Sequence, residues 1–147
     1  MRLSNDLREF IELLNSRDIE YLIVGAYSLA FHARPRFTGD LDILVRPTIE
    51  NASKLVDALR QFGFEASGFS VSDFTELEQV IQLGRAPHRV DLLTSISGVT
   101  IEDAFDKKVT GQLDGLPVDF LSKELLIANK RALGRPQDLA DLDTLNE

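Results

Sequence analysis

Two aspartates, Asp40 and Asp42, flank one leucine and lead into Ile43-Leu44-Val45. Aspartate is depleted in strands, so a pair of them opening an apolar run needs a reason. In an extended chain alternate side chains share a face. Both carboxylates therefore lie on one side, about 7 Å apart at their Cα atoms, with Leu41 and Ile43 turned toward a core. Like charges so placed repel, and a divalent cation turns that repulsion into a site, because Mg²⁺ takes carboxylates while keeping waters and phosphate oxygens. The plainer account is a solvated strand face with two surface acids. Gly25-Ala26 adds a second part: it separates an apolar run from a helix start, where backbone N–H groups can meet a phosphate. Asp91 is a lone acid inside Val90-Asp91-Leu92-Leu93, where an unpaired buried charge would be costly. Three carboxylates on neighbouring strands beside a glycine turn suit two-metal phosphoryl transfer. The competing account pairs Asp91 with Arg89 or Arg85 at a sheet edge.

Other residues carry weaker signals. Arg34, Arg36 and Arg46 are near the acids in sequence and could hold substrate phosphates, or could equally balance the carboxylates. Tyr27 and Phe37 offer rings to a base, although packing in a core or loop is the commoner use of such residues. His32 could face the site from its helix, or serve structure alone. Asp119 in Val118-Asp119-Phe120 imitates the third acid, but its place after a hairpin and before a capped helix suits a surface acid on an edge strand. Asp138 and Asp141 are three apart in the last helix and suit pairing with Arg131 or Arg135 as a clamp between helices. No Walker A or GxGxxG pattern is present, which removes P-loop and dinucleotide readings.

The elements that must position these residues follow from periodicity. Leu7, Phe10, Ile11 and Leu14 mark a first helix capped by Ser4 or Asn5. Tyr21–Val24 reads as a strand ended by Gly25, and Ala26 to Phe31 as a helix begun directly after it. Residues 34–39, with Pro35 and Gly39, form a loop, and residues 40–45 a second strand. Pro47 and Thr48 open a helix carrying Ala52, Leu55, Val56 and Leu59 and closing near Gly63. Residues 80–83 and 88–93 predict a hairpin across Gly84–Pro87, followed by a short helix over 101–107. Gln112-Leu113 and residues 117–121 pair across Asp114-Gly115, a favoured hairpin dipeptide. Ser122 caps a helix running to Leu133 with Glu124 in its first turn, and Gly134 stops it. Pro136 starts a last helix with Leu139, Leu142 and Leu145 on one face. There is no internal repeat or linker. The expectation is one α/β (α+β) domain over residues 1–147 with a mixed or mostly antiparallel sheet flanked by helices.

Composition bounds the setting. The 147 residues, 44% hydrophobic and 27% charged, suffice for one buried core without cross-links. Without cysteine there is no disulfide framework, thiolate metal site or Cys nucleophile. Two histidines, His32 and His88, are too few for a His-rich zinc site. A net charge of -8 argues against coating nucleic acid by bulk charge, leaving only a local basic strip such as Arg34, Arg36, Arg89 and Lys130. No run approaches the length of a membrane span and the N-terminus lacks a signal-like apolar run, so the expected location is the cytoplasm.

The ordered set Val24-Gly25-Ala26, Asp40-Leu41-Asp42-Ile43 and Val90-Asp91-Leu92 resembles the signature of the nucleotidyltransferase (polymerase-beta-like) superfamily. The flavour is that of the small bacterial group that includes AbiEii-type toxins. Residues 34–38, the run from Lys123 to Lys130, Gly134-Arg135 and residues 138–142 resemble that group too. The resemblance implies the mixed-sheet nucleotidyltransferase fold and transfer of a nucleoside monophosphate from an NTP to an acceptor hydroxyl on RNA or tRNA, a protein or a small molecule. It implies Mg²⁺, with Mn²⁺ as an alternative ion, held by Asp40, Asp42 and Asp91. It assigns phosphate contacts to Gly25 and the Ala26 backbone, and charge neutralisation to Lys130 or, second, Arg135. It also implies a cognate toxin–antitoxin partner by analogy. The family has Gly or Ser where this chain has Ala26, which removes a hydroxyl contact that Ser28 could supply; Arg36 remains a further nucleotide-binding candidate. The rival reading is a non-catalytic module on the same fold, an antitoxin-like or regulatory partner. Ala26 and the short chain, little more than a catalytic core with the acceptor-recognising domain missing or reduced, favour that rival; the intact acids oppose it.

Overall fold

A computed structural model describes residues 3–34, 40–64, 68–84 and 89–146. Helix α1 (Asn5–Ser16) begins at Ser4, whose hydroxyl accepts a hydrogen bond from the Leu7 N–H, and buries Leu7, Phe10, Ile11 and Leu14 along one stripe. Strand β1 (Tyr21–Val24) runs directly into α2 (Gly25–His32). Strand β2 (Asp40–Val45) is followed by α3 (Ile49–Leu59), capped by the Thr48 hydroxyl, which accepts from the Asn51 N–H. Strands β3 (Val80–Leu83) and β4 (Arg89–Leu93) pair antiparallel, as expected, while residues 85–88 of their connection lie outside the described residues. Then come α4 (Ile101–Asp106), the hairpin β5 (Val109–Leu113) and β6 (Leu116–Phe120), α5 (Lys123–Leu133) and α6 (Pro136–Leu145). The β5–β6 turn has Asp114 and Gly115 at φ 49° and 81°, the left-handed pair that a two-residue hairpin demands. Ser122 caps α5 through its hydroxyl, and Gly134 ends it at φ 64°.

The strands form one mixed sheet in the order β3-β4-β2-β1-β6-β5. β2 is antiparallel to β1 and parallel to β4, and β1 is parallel to β6. The alternation of strand side chains gives each sheet face its own core. Tyr21, Ile23, Leu41, Ile43, Val90 and Leu92 pack with residues of α1 and α3 on one face. Leu22, Val24 and Leu44 pack on the other with Ala104 and Phe105 of α4, Leu126 of α5 and Leu145 of α6. Asp40 and Asp42 share the parity of Leu44, and Asp91 that of Leu93. All three acids therefore lie on the face covered by the C-terminal helices, at the end of the sheet where α2 begins.

One local expectation needs correction. Helix α6 does not turn a leucine stripe inward: Leu139 is 53% exposed, while Asp138, Asp141 and Leu145 are buried. The irregular stretch after α3 also contains a 3₁₀ turn at Val71–Phe74 whose Phe74 is fully buried. Its two apolar residues, Val71 and Phe74, span a single turn and leave no periodicity to read.

Candidate active site

The three acids meet. Asp42 lies opposite Val24 on one side and is in parallel register with Asp91 on the other, while Asp40 is in register with Arg89. Adjacent strands are about 4.8 Å apart, so the carboxylates of Asp42 and Asp91 rise from neighbouring positions on one face. Burial first, then the charges of Asp91 and Asp40, push the Asp42 carboxyl up to about 6, against the pull of Lys130 and Arg89. Arg89 bridges the group: its Nη2 donates to Asp40 Oδ2 at 2.7 Å and to Asp91 Oδ2 at 3.3 Å, and its Nε is 3.1 Å from Asp91 Oδ1. That last approach is a charge contact without hydrogen-bond alignment, leaving both atoms buried and without a hydrogen-bond partner. The pairing of Asp91 with Arg89, weighed as a competing account, thus coexists with the carboxylate cluster.

Gly25 forms the wall of the site. It sits at φ +66°, and a Cβ there would fall 2.3 Å from Asp42 Oδ2 and 3.1 Å from the Asp42 Cβ and Cγ. The first residue of α2 thus touches the central carboxylate with its backbone alone. Ala26 follows, itself buried. Ser28 is fully buried and its hydroxyl has no hydrogen-bond partner, so it does not face an open ligand site in this arrangement. Tyr27 packs in the core under α2, as a structural residue would. Burial and the Asp40 charge both raise its phenol.

On the C-terminal side Lys130 is buried, its Nζ 3.0 Å from Asp141 Oδ2 and 3.4 Å from Asp138 Oδ1. Arg135 clasps Asp138 through Nε at 2.6 Å, yet two thirds of its side chain is exposed. Hydrogen bonding from Arg135 holds the Asp138 carboxyl below its ordinary range. The hydrogen bond to Asp138 chiefly raises the Arg135 guanidinium, with the charges of Asp138, Asp141 and Asp42 adding less. Of the two cations Lys130 is buried and Arg135 exposed. The expected clamp forms with Arg135 and, in place of Arg131, with Lys130, which is one residue earlier in α5 and buried where Arg131 is exposed.

The remaining candidates separate. Arg46 follows the far end of β2, where it is 3.6 Å from Glu20 and its guanidinium lies 4.6 Å over the Phe105 ring. It is therefore not a neighbour of the acids. His32 Nε2 is 2.6 Å from the Leu121 carbonyl oxygen, a structural bond. Asp119 accepts from the Thr110 hydroxyl and pairs with Lys108 at 3.0 Å, but the expected edge position is corrected: β6 lies inside the sheet, between β1 and β5. Arg34 is exposed, whereas Arg36, Phe37, Arg85 and His88 lie outside the described residues. A cavity of about 330 Å³, lined by Tyr21, Phe105 and Lys108 among others, opens at the opposite end of β1 and includes none of the three acids.

The donor set fits a hard divalent cation in kind: three carboxylates on one face, one with a buried oxygen lacking any hydrogen bond, around a carboxyl whose ionisation its neighbours oppose. Among the described residues no group of three such side chains is arranged to hold an ion as it stands. Mg²⁺ needs only one or two carboxylates when phosphate oxygens complete its shell.

The fold has known counterparts. A lincosamide antibiotic adenylyltransferase, in a lincomycin-bound crystal structure, is similar at a TM-score of 0.62 with 13% identity, covering 100% of this chain and 99% of that one. A Thermotoga maritima protein described as a nucleotidyltransferase matches at 0.62 with 20% identity over 93% and 88% of the two chains. An antigenic nucleotidyltransferase-like protein of Paracoccidioides brasiliensis matches at 0.55 with 17% identity over 97% and 77%. At these identities the likeness is one of fold. No curated protein sequence matches. Residues 3–147 match the model of a family described as "Nucleotidyl transferase of unknown function (DUF2204)". By that match over almost its whole length, the chain belongs to this family of nucleotidyl transferases, enzymes that move nucleotidyl groups.

Proposed function

We propose that the protein transfers a nucleoside monophosphate from an Mg²⁺-bound NTP to an acceptor hydroxyl, using Asp40, Asp42 and Asp91. The observation that carries this reading is the in-register pair Asp42 and Asp91 beside Asp40, with Gly25 against the Asp42 carboxylate. Asp40 and Asp42 would hold the metal against the triphosphate, with Asp91 completing the group on the acceptor side. Bound there, Mg²⁺ (or Mn²⁺) supplies charge neutralisation and polarisation of the phosphates. The backbone at Gly25 and Ala26 lies at the positive end of α2 and faces the β- and γ-phosphates. Arg135, two thirds exposed, would reach phosphate oxygens, and Lys130 would support it from beneath through Asp138, the carboxylate they share. Arg36 is kept as a further phosphate contact. The acceptor oxygen attacks the α-phosphorus in line and a new P–O bond forms. The α–β bridging P–O bond breaks, pyrophosphate leaves with the electron pair, and the hydroxyl proton passes to Asp91. Positioning and charge account for most of the rate in such transfers, so few residues are required.

The acceptor class is RNA or tRNA, protein or small molecule. A toxin–antitoxin role, resting on the likeness to AbiEii-type toxins, and a cytoplasmic setting belong to the same proposal. No helix among the described residues is long and apolar enough to cross a membrane.

Thermal unfolding of wild type and Asp42→Asn with each of four NTPs, with and without Mg²⁺, tests the reading. A ligand at 100 times its Kd stabilises by about 2.7 kcal/mol, a rise of roughly 5–10 °C here. The expected result is a magnesium-dependent rise with one NTP that is lost in Asp42→Asn. A rise of equal size in the variant would overturn it.

A further inference from the structure

We propose that Arg89 is a latch on the carboxylate site: its guanidinium serves as the built-in counter-cation of Asp40 and Asp91, and a divalent ion enters by displacing it. The inference rests on the reading of the three acids as metal-binding residues. Arg89 lies in register with Asp40 across the parallel β2–β4 pair, and two residues before Asp91 on its own strand. All three side chains consequently leave the same face, and one guanidinium spans both strands, 2.7 Å from Asp40 Oδ2 and 3.1 Å from Asp91 Oδ1.

Three features make this a displaceable contact rather than a fixed brace. The Arg89 guanidinium brings a single charge to two of the three carboxylates, so a divalent ion at the same place has the stronger claim on the group by Coulomb's law. The Nε–Oδ1 approach lacks hydrogen-bond alignment and leaves both atoms without a hydrogen bond. A third of the Arg89 side chain is exposed, which gives the guanidinium a solvated place to move. The same bridge explains why three suitable acids stand on one face without being arranged to hold an ion: Asp40 and Asp91 are turned to the guanidinium. Arg89 is thus a positioning residue that sets the affinity of the three acids for metal before nucleotide binds. It keeps the acids together before substrate arrives and resists ions that come without nucleotide phosphates.

The test is titration with Mn²⁺ alone, read as loss of the free-ion paramagnetic resonance signal, on full-length wild type, Arg89→Gln, Arg89→Lys and the double variant Arg89→Gln/Asp42→Asn. Circular dichroism of each protein checks its fold. A charged hydrogen-bonded partner of this kind suppresses binding by about tenfold, so Arg89→Gln is expected to bind Mn²⁺ about tenfold more tightly than wild type. Arg89→Lys keeps the charge but not the fork and should fall between them, carrying the test if Arg89→Gln does not fold. The double variant should lose the gain. Mn²⁺ bound by wild type but no more tightly by either Arg89 variant overturns the latch and leaves the metal site standing. Absence of Mn²⁺ binding in every protein overturns both.

Discussion

Replacing Gly25 by alanine puts a methyl group where the central carboxylate now lies. The new Cβ would stand 2.3 Å from Asp42 Oδ2, whereas ordinary contacts begin at 3.4 Å, so the carboxylate must retreat by about 1 Å. Rotation alone does not relieve the contact, because the Asp42 Cβ and Cγ are themselves only 3.1 Å away. The backbone adds a second cost, since φ is +66° and a left-handed conformation costs an L-residue roughly 1–2 kcal/mol. For a domain of this size that alone lowers Tm by roughly 2–8 °C. A displacement near 1 Å at a reacting centre costs on the order of a hundredfold in rate, and Mg²⁺–NTP affinity should fall with it. Gly115→Ala is the control, because Gly115 also has positive φ, +81°, and a methyl group added there would meet nothing within 4 Å. Scanning fluorimetry and calorimetric titration with Mg²⁺–NTP on both variants separate the effects. Gly115→Ala should lose stability and keep nucleotide binding, whereas Gly25→Ala should lose both. Wild-type nucleotide affinity in Gly25→Ala would refute the placement of Asp42 at the centre of the site.

Other consequences can be measured in the same way. The Asp42 carboxyl is raised from 3.8 to about 6, so the folded state holds its proton more tightly than the unfolded chain. The stability this one group contributes is fully present below pH 3.8 and is lost as pH rises through about 6. The shift is worth roughly 3 kcal/mol at most, cut to about 1–2 kcal/mol by partial solvent access; metal-free Asp42→Asn should therefore melt higher than wild type at pH 7.5 and lose that advantage near pH 4 in chelator. Lys130→Met removes the buried cation that contacts Asp138 and Asp141, 0% and 4% exposed, and removing one partner of a buried cluster costs about 3–5 kcal/mol, which urea unfolding would register. Arg135→Ala removes the 2.6 Å partner of the buried Asp138, so it should lower stability by about 1.5–3 kcal/mol in urea unfolding and weaken Mg²⁺–NTP binding in calorimetry. His32→Ala loses its bond to the Leu121 carbonyl and about 1 kcal/mol, with transfer per folded molecule unchanged once an acceptor is in hand.

Much of this was legible in the sequence because it is local. Ser4, Thr48 and Ser122 are the kinds of residue that cap helices and all three do. Asp114-Gly115 makes the expected turn, and the period of two settles that Asp40 and Asp42 share a face. What was hidden is what depends on distant parts of the chain. That β2 sits between β1 and β4, in the register that brings Asp91 beside Asp42, is set by both faces of the sheet being packed, and no single strand encodes it. Arg46 is close to Asp42 in sequence, but an extended chain carries it to the other end of the strand. In α6 the leucines at 139, 142 and 145 suggest an apolar stripe, yet the inward positions belong to Asp138 and Asp141 because Lys130 of α5 needs their charge. Helical periodicity reports hydrophobicity and cannot announce a buried ion cluster.

The account stands most directly on where metal and nucleotide bind. A crystal grown with Mn²⁺ and a non-hydrolysable NTP, measured at the manganese edge, would answer this in one map. The prediction is an anomalous peak about 2.0–2.2 Å from carboxylate oxygens of Asp42 and at least one of Asp40 and Asp91, with triphosphate density running toward the start of α2 and Arg89 turned away. A nucleotide bound elsewhere, or manganese that avoids these three acids, would contradict the central claim.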